Sequence, residues 1–258
     1  MRTYFKGKTI VISGIARGIG KALAMQAAEM GMHVAGLDVK QKELNDLEQE
    51  LGKLNAHYYL EVVDIRNEEA CKAFIKVARM KLGAIDILIN NAGVTHIAPE
   101  QDTSIAETKN LMDVNFFGMV HLSHYALPDI INEEGSIAGV SSVAGYSPLI
   151  YRTAYAASKH AVFGYLSSLR AELRDKNVQV LTICPSFVST DIQEHQQKYF
   201  NNNTKEALTP SFVANQIFEA IQERRDLSLI GKTAKIAYLL QRFFPSLYER
   251  IMLRKMKI

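Results

Sequence analysis

The order of apolar and helical segments is the feature that most constrains the fold of this chain. Short, continuous apolar runs at residues 9–13, 33–38, 57–63 and 85–90 alternate with longer segments of helical periodicity. Continuous apolar runs of this length are typical of parallel strands that are covered on both faces. The alternation therefore predicts βαβ units and an α/β fold with a doubly wound parallel sheet of about seven strands.

The rest of the chain continues this pattern. Further strands are predicted at residues 136–141, 178–184 and 227–230, and helices at 18–30, 39–52, 68–81, 104–130, 154–175 and 211–223. Because no internal repeat or low-complexity linker interrupts it, residues 1–230 form one predicted domain and residues 231–258 a C-terminal extension. In such a sheet the ligand crevice lies beyond the carboxyl ends of the strands, so functional residues should come directly after strands.

Composition excludes several classes of protein. Hydrophobic residues make up 48% of the chain and charged residues 22%, which excludes wholesale disorder. The apolar runs are far shorter than the ~20 residues of a membrane-spanning helix. Two cysteines are too few for a disulfide framework or a cysteine-built zinc site, and we predict no metal site. The N-terminus lacks the apolar region of a secretory signal, so a reducing cytoplasm is the expected compartment.

A glycine-rich segment comes after the first predicted strand. It reads Ser13-Gly14-Ile15-Ala16-Arg17-Gly18-Ile19-Gly20 and leads into the first long predicted helix. Glycines at a strand-to-helix junction allow a tight turn and let backbone N–H groups approach a pyrophosphate. Three glycines alone could equally form a structural turn, but their position at the first βα junction favours a dinucleotide site.

Asp38 ends the second predicted strand, 24 residues after Gly14. A carboxylate at this position can accept hydrogen bonds from the ribose hydroxyls of the adenosine and would repel a 2′-phosphate, which favours NAD. Arg17 and Lys40 could pair with a 2′-phosphate, so NADP stays an alternative. The competing structural interpretation is that Asp38 caps a helix.

The motifs resemble those of the short-chain dehydrogenase/reductase family, and they occur in the family's order from residue 6 to about residue 230. The glycine segment has Ser13 where the family usually has Thr, and Ser186 stands where the family usually has Gly. The remaining motif residues are Asp64; Asn91, Ala92 and Gly93; Asn115; Ser142; Tyr155 and Lys159; and Pro185, Val188 and Thr190.

The resemblance implies a Rossmann-like fold and assigns a role to each motif residue. Cofactor contacts are implied for Ser13, Gly14, Arg17, Gly18, Ile19, Gly20, Asp38, Asp64, Asn91, Ala92, Gly93, Tyr155, Lys159, Pro185, Val188 and Thr190. Catalytic roles are implied for Asn115, Ser142, Tyr155 and Lys159. Asp64 would contact the adenine, Ser142 the substrate oxygen, and Asn115 a water that links Lys159 to solvent. By the same analogy the protein is expected to be a homodimer or homotetramer, joined through the helices near residues 104–130 and 154–175.

Tyr155 and Lys159 are four residues apart on a predicted helix, so both project from one face. A tyrosine pKa of about 10 is too high for a base at neutral pH. An ammonium about 4 Å away would lower it by about three at most, and desolvation opposes that effect. We therefore expect a Tyr155 pKa about one or two above neutrality, suited to exchanging a proton with an alcohol or ketone.

The C-terminal extension is strongly basic and amphipathic. Residues 231–258 carry seven Lys and Arg side chains and one acid, Glu249, whereas the preceding residues carry 23 basic and 26 acidic side chains. A first apolar stripe joins Ile236, Leu239, Leu240, Phe243 and Phe244, and a second joins Leu247, Tyr248, Ile251 and Met252. The stripes either cover the substrate pocket or a partner subunit, or place the extension on an anionic membrane surface. Nucleic-acid binding is disfavoured because the charge is confined to this segment.

The sequence therefore predicts an NAD(H)-dependent oxidoreductase that acts on a secondary alcohol or ketone, an apolar small molecule. One alternative is an NADPH-dependent carbonyl or 3-ketoacyl reductase on the same scaffold. A second is a nucleotide-binding regulator without turnover, which would have no need of a proton donor such as Tyr155.

Overall fold

The computed structural model describes residues 1–189 and 207–256. A seven-stranded sheet in the order β3-β2-β1-β4-β5-β6-β7 runs through the molecule, and each pair of neighbouring strands is parallel. The strands are β1 (Thr9–Ser13), β2 (His33–Asp38), β3 (Tyr58–Val62), β4 (Ile87–Asn90), β5 (Ser136–Val140), β6 (Gln179–Pro185) and β7 (Leu227–Ile230). The predicted doubly wound, Rossmann-like sheet is thus confirmed.

Helices cover both faces of the sheet. They are α1 (Arg2–Phe5), α2 (Gly18–Glu29), α3 (Gln41–Lys53), α4 (Glu68–Leu82), α5 (Ile105–Met112), α6 (Gly118–Asn132), α7 (Thr153–Glu172), α8 (Pro210–Gln222), α9 (Lys232–Phe243) and α10 (Pro245–Met256). Successive strand residues point to opposite faces, so Ile10 and Ile12 pack with α2 and α8 while Val11 packs with α4, α6 and α7. Both faces are therefore apolar, as the continuous runs in the sequence indicate.

One predicted helix is interrupted. Periodicity predicts a single helix over residues 104–130, but a turn of π-helix, Asp113–Phe117, separates α5 from α6. The interruption holds Asn115, whose side chain is almost fully buried. π-Turns inside α-helices are rare, and those that occur are often found at functional sites.

The C-terminal extension folds back onto the same chain. The Tyr146 hydroxyl donates to the Ala234 carbonyl of α9 at 2.8 Å, and the Tyr248 hydroxyl of α10 donates to the Pro148 carbonyl at 3.3 Å. These bonds bring α9 and α10 to the carboxyl edge of the sheet. Within the described residues, no helix combines the length and the apolar character needed to cross a membrane.

Candidate active site

A cavity of about 870 Å³ lies along the carboxyl ends of the strands, where the topology predicts a ligand. Motif residues that the sequence analysis identified make up much of its lining: Gly14, Arg17, Gly18, Ile19, Asp38, Asp64, Asn91, Ala92, Gly93, Ser142, Tyr155, Lys159, Pro185 and Val188. Ser13, Gly20 and Asn115 lie behind this lining, and Thr190 lies outside the described residues.

The glycine turn after β1 is packed too closely for side chains. Gly14 has φ of +66°, and a Cβ there would lie 2.8 Å from the Ala92 Cα. A Cβ on Gly20 would lie 2.0 Å from the Gly14 carbonyl oxygen. The start of α2 is thereby drawn against the end of β1, at one end of the cavity.

Ser13 joins this turn to the segment after β4. Its hydroxyl accepts hydrogen bonds from the backbone N–H groups of Asn91 and Ala92 at 3.0 and 3.1 Å. The Asn91 side chain donates in return to the carbonyls of Ser13 and Gly14 at 3.1 and 3.0 Å. The hydrogen bonds at residue 13 need only a hydroxyl, so Ser13 in place of Thr keeps the connection between the glycine turn and the segment after β4.

The chemistry of this end of the cavity fits a dinucleotide. α2 begins without a side-chain cap, because its N-cap residue is Arg17, whose side chain has no acceptor for the first N–H groups. Uncapped N–H groups at a helix start are the donors that a phosphate accepts from. The missing side chains of Gly14 and Gly20 let the turn pack directly on Ala92 and on itself. This packing holds Gly14 and Gly18, and with them the start of α2, at the edge of the cavity.

Asp38 faces the same end of the cavity and is held there by backbone donors. Its Oδ2 accepts from the Ala16 N–H at 3.0 Å and its Oδ1 from the Lys40 N–H at 3.2 Å. The residue that precedes α3 as its cap is Lys40, so Asp38 is not that helix's cap. Arg17 and Lys40 also line the cavity, so side chains of both charges lie at this end of it.

Asp64 is engaged by a neighbouring cation. The Arg66 Nε lies 3.0 and 2.9 Å from its two carboxylate oxygens, and Arg66 Nη1 donates to the Asn110 Oδ1 at 3.0 Å. The hydrogen bond from Arg66 lowers the pKa of Asp64. A contact from Asp64 to an adenine would therefore come from a carboxylate that is already paired.

Asn115 supports the lining from behind. Its Oδ1 accepts from the Val94 N–H at 2.8 Å, and its Nδ2 donates to the Val94 carbonyl at 3.0 Å and to the Ser158 Oγ at 2.9 Å. The side chain thus ties the π-turn to the segment after β4 and to α7. Both amide protons are used, and only the oxygen keeps accepting capacity for a water.

Tyr155 and Lys159 of α7 line the cavity together with Ser142, and the Ser142 side chain is hydrogen-bonded to Tyr155. The Lys159 Nζ donates to the Val140 carbonyl at 2.9 Å and lies 5.9 Å from the centroid of the Tyr155 ring. Ser142 comes just after β5, and its Oγ accepts from the Ala144 N–H at 3.2 Å. The geometry places a phenol, an ammonium and a hydroxyl on one wall.

Burial dominates the electrostatics of this wall. It lowers the pKa of Lys159 to about 8 and raises the pKa of Tyr155, although a hydrogen bond from Ser142 and the charge of Arg152 oppose the rise. The expected depression of the Tyr155 pKa by Lys159 is therefore wrong for this structure. The reason is physical: the ammonium points to the Val140 carbonyl, and desolvation of the phenolate outweighs attraction at this distance.

The sequence did not reveal all of the cavity lining around Tyr155 and Ser142, which we call the substrate end of the cavity. Arg152 lines the cavity with its guanidinium 5.7 Å from the centroid of the Tyr155 ring, and its Nη1 donates to the Thr95 Oγ1 at 3.4 Å. Arg152 is the N-cap residue of α7, three residues before Tyr155, and this spacing is the signal that could have found it. The apolar lining at this end is Val94, Val143, Leu149, Ile150 and Phe187.

The two stripes of the extension lie differently. From the second stripe, Tyr248, Ile251 and Met252 line the cavity, joined by Thr233 and Ala237 of α9. The first stripe faces away from the cavity, and Ile236 is 57% exposed and Phe243 63% exposed. The extension therefore covers the substrate end with one face and presents an apolar face to the outside.

Ser186 takes an ordinary backbone conformation, with no positive φ, although the family usually has Gly there. Its N–H donates to the Ile230 carbonyl at 2.9 Å, and it lines the cavity together with Pro185 and Val188. The exchange of Gly for Ser therefore leaves the turn after β6 unstrained.

Comparisons with known proteins agree with this architecture. A sequence profile of the family described as short chain dehydrogenase matches residues 8–199. Dehydrogenase/reductase SDR family member 7B of Xenopus laevis is 30% identical, with 98% of this chain and 83% of the relative aligned. The Danio rerio protein of the same name is 32% identical, with 97% of this chain and 86% of the relative aligned.

A solved structure is similar over nearly the whole fold. It is a short chain dehydrogenase/reductase from Burkholderia phymatum in complex with NAD, 26% identical, with a TM-score of 0.87 over 94% of this chain and 95% of that one. The chain belongs to the short-chain dehydrogenase/reductase family, whose members are oxidoreductases.

Proposed function

We propose that this protein transfers a hydride between NAD(H) and an apolar secondary alcohol or ketone, with Tyr155 as the general acid–base. One observation carries the proposal. Ser142, Tyr155 and Lys159 line the same cavity as Gly14 and Gly18 at the uncapped start of α2, and as Asp38. A hydride carrier bound at one end would reach a substrate held at the other.

Each residue of the wall has a definite task. Bound NAD⁺ supplies the hydride acceptor and a positive charge. Tyr155 takes the hydroxyl proton as an alcohol becomes a ketone and returns a proton to the oxygen in the reverse direction. The Ser142 hydroxyl donates to the substrate oxygen and stabilises negative charge there. Lys159 holds the nicotinamide ribose, and Asn115 holds the segment after β4 against α7.

The preference for NAD over NADP rests on Asp38. A carboxylate fixed by two backbone N–H groups suits ribose hydroxyls and repels a 2′-phosphate. The structural neighbour from Burkholderia phymatum is in complex with NAD, which supports the same choice. An NADPH-dependent carbonyl or 3-ketoacyl reductase is the second candidate, favoured by Arg17 and Lys40 at the same end of the cavity.

The expected assembly is at least a dimer, joined through α5, α6 and α7. Support comes from large apolar side chains exposed on α5 and on the π-turn, Ile105 at 76% and Phe117 at 46%. Sedimentation velocity would measure the assembly. We expect a reducing compartment such as the cytoplasm, because the sequence has too few cysteines for a disulfide framework.

The direct test is a screen of secondary alcohols and ketones of graded chain length, run with NAD(H) and with NADP(H). We expect turnover with NAD(H) that improves with apolar chain length, because the substrate end is lined by aliphatic and aromatic side chains. Turnover that depends on NADPH would favour the second candidate. Failure to bind either dinucleotide would contradict both.

A further inference from the structure

The outer face of the C-terminal helices is an exposed apolar surface. Ile236, Leu239 and Phe243 are spaced three and four residues apart on α9, so they form one stripe, and each is more than half exposed. Phe244, which follows α9, and Leu247, in the first turn of α10, extend the stripe and are 60% and 47% exposed. We call these five side chains the tail patch. An exposed apolar cluster of this kind marks an interaction site.

Cations border the tail patch. Lys235 and Arg242 each precede a patch residue on α9, and both are exposed. Among the side chains of the two helices that the structure describes, the other exposed cations are Lys232, Arg250 and Arg254, and the acid is Glu249. Within the part of the chain that the structure describes, none of these five cations takes part in an ion pair. Their charge is therefore available to an anionic partner.

We propose that the tail patch docks onto an anionic lipid surface. An apolar stripe flanked by Lys and Arg is the pattern of a helix that lies in the interface, with its apolar side chains below the phosphates and its cations among them. A second copy of this chain fits less well. If two such faces packed together, the five cations of one copy would lie near the five of the other and repel them. The exposed apolar residues on α5 and the π-turn also give a second copy another surface.

Docking would bring the substrate end of the cavity to the membrane. The inner faces of the same helices, through Ala237, Tyr248, Ile251 and Met252, line that end. An apolar alcohol or ketone dissolved in the bilayer would then reach the cavity beside the docked helices. This consequence rests on the proposed function, whereas the docking itself does not.

The first test is co-sedimentation of the full chain with vesicles, without any substrate. Vesicles of phosphatidylcholine with phosphatidylserine should bind the protein, and phosphatidylcholine alone should bind it much less. The double variant Ile236→Ser/Phe243→Ser should bind the anionic vesicles at least about tenfold more weakly, because two large apolar side chains leave the interface. The control Met80→Ser/Phe212→Ser removes exposed apolar side chains elsewhere, 76% and 47% exposed, and should bind as the unchanged protein does.

A second test gives a positive signal. The chain contains no tryptophan, so Phe243→Trp introduces a single fluorescent reporter into the patch and Phe212→Trp places one outside it. Anionic vesicles should shift the emission of the first variant to shorter wavelength and leave that of the second unchanged.

Three results would overturn the docking. The first is equal vesicle binding by Ile236→Ser/Phe243→Ser and the unchanged protein, and the second is an unshifted Phe243→Trp emission. The third is a dimer in solution that Ile236→Ser/Phe243→Ser converts to monomer and the control variant does not. The last result would assign the patch to a second copy. A protein that binds vesicles but turns over no alcohol or ketone would refute the proposed function and leave the docking in place.

Discussion

At the scale of single residues, Lys159 shows a conflict between stability and chemistry. Its ammonium is almost fully buried, with one hydrogen bond to the Val140 carbonyl and a pKa lowered from its usual 10.5 to about 8. Near neutral pH the folded protein therefore holds a charge that burial disfavours. The proposed reaction would use such a cation beside the nicotinamide ribose and Tyr155, and that use would offset the cost to stability.

We predict that Lys159→Met stabilises the fold near neutral pH and abolishes turnover. The gain is expected to be about 1–3 kcal/mol after the loss of the Val140 hydrogen bond. Between about pH 8 and pH 10.5 the unfolded state binds more protons than the folded state, so the unfolding free energy of the unchanged protein rises with pH. The gap should therefore close across that window. Urea denaturation of both proteins at both ends of the window measures it, and a gap that is constant with pH would contradict the argument.

Asp38 gives a prediction about the cofactor. Asp38→Asn removes the charge and keeps an oxygen for one of the two backbone donors, Ala16 or Lys40. Arg17 and Lys40 would then be free to attract a 2′-phosphate. We expect the ratio of kcat/KM for NADP to that for NAD to rise at least about tenfold, since loss of a like charge is worth more than about 1.4 kcal/mol here.

The matched control is Asp64→Asn, which removes a carboxylate of the same cavity that is already paired with Arg66. It should leave the cofactor ratio nearly unchanged. If Asp38→Asn behaves like this control, the ribose is recognised by another group.

At the scale of elements, the strands could be predicted closely and the long helix could not. β1, β2 and β7 begin and end where the apolar runs indicate, because a strand buried on both faces must be apolar throughout. The π-turn at Asp113–Phe117 leaves no trace in the periodicity. The π-turn is tied to distant parts of the sequence, because the Asn115 side chain accepts from the Val94 N–H and donates to the Val94 carbonyl and the Ser158 hydroxyl.

Asn115→Ala tests the importance of those bonds. The substitution leaves the Val94 N–H, the Val94 carbonyl and the Ser158 hydroxyl without this partner, so we expect the unfolding free energy to fall by about 1–3 kcal/mol. Turnover should fall as well, because the segment after β4 is then held less firmly. The control Asn110→Ala removes an exposed hydrogen bond to Arg66 and should cost less than about 0.5 kcal/mol. Urea denaturation and steady-state kinetics measure both.

The C-terminal helices illustrate a second limit on prediction. The two apolar stripes were evident in the sequence, but periodicity does not reveal which side of a helix is covered. α9 packs through Ala234 and Ala237, whose small size permits close approach, and it leaves Ile236 and Phe243 outside. Burial here depends on size rather than hydrophobicity, so the larger side chains remain available for the tail patch.

At the scale of the whole molecule, the site gathers residues from almost every part of the sequence. Topology alone predicted this, since the loops after parallel strands all lie at one edge of the sheet. The direction of the Tyr155 pKa shift could not be predicted from the sequence. It depends on distances such as the 5.9 Å between the Lys159 Nζ and the centroid of the Tyr155 ring. The position of the extension over the substrate end depends likewise on contacts such as that of Tyr248 with Pro148.

A bound dinucleotide should stabilise the whole molecule, because in the proposed site it would contact the glycine turn, Asp38 and α7 at once. At a free NAD concentration about 100-fold above its Kd, the unfolding free energy should rise by about 2.7 kcal/mol. For a chain of this length the melting temperature would rise by about 5–10 °C.

Tyr155→Phe keeps the ring in place and removes the transferable proton, so it should retain most of this rise in melting temperature while kcat falls about 10²–10⁴-fold. Thermal melts with and without NAD, paired with steady-state kinetics, separate binding from proton transfer. Near-normal turnover by Tyr155→Phe would show that Tyr155 does not transfer the proton. If NAD no longer raises the melting temperature of the variant, the loss of turnover would be explained by lost cofactor binding alone.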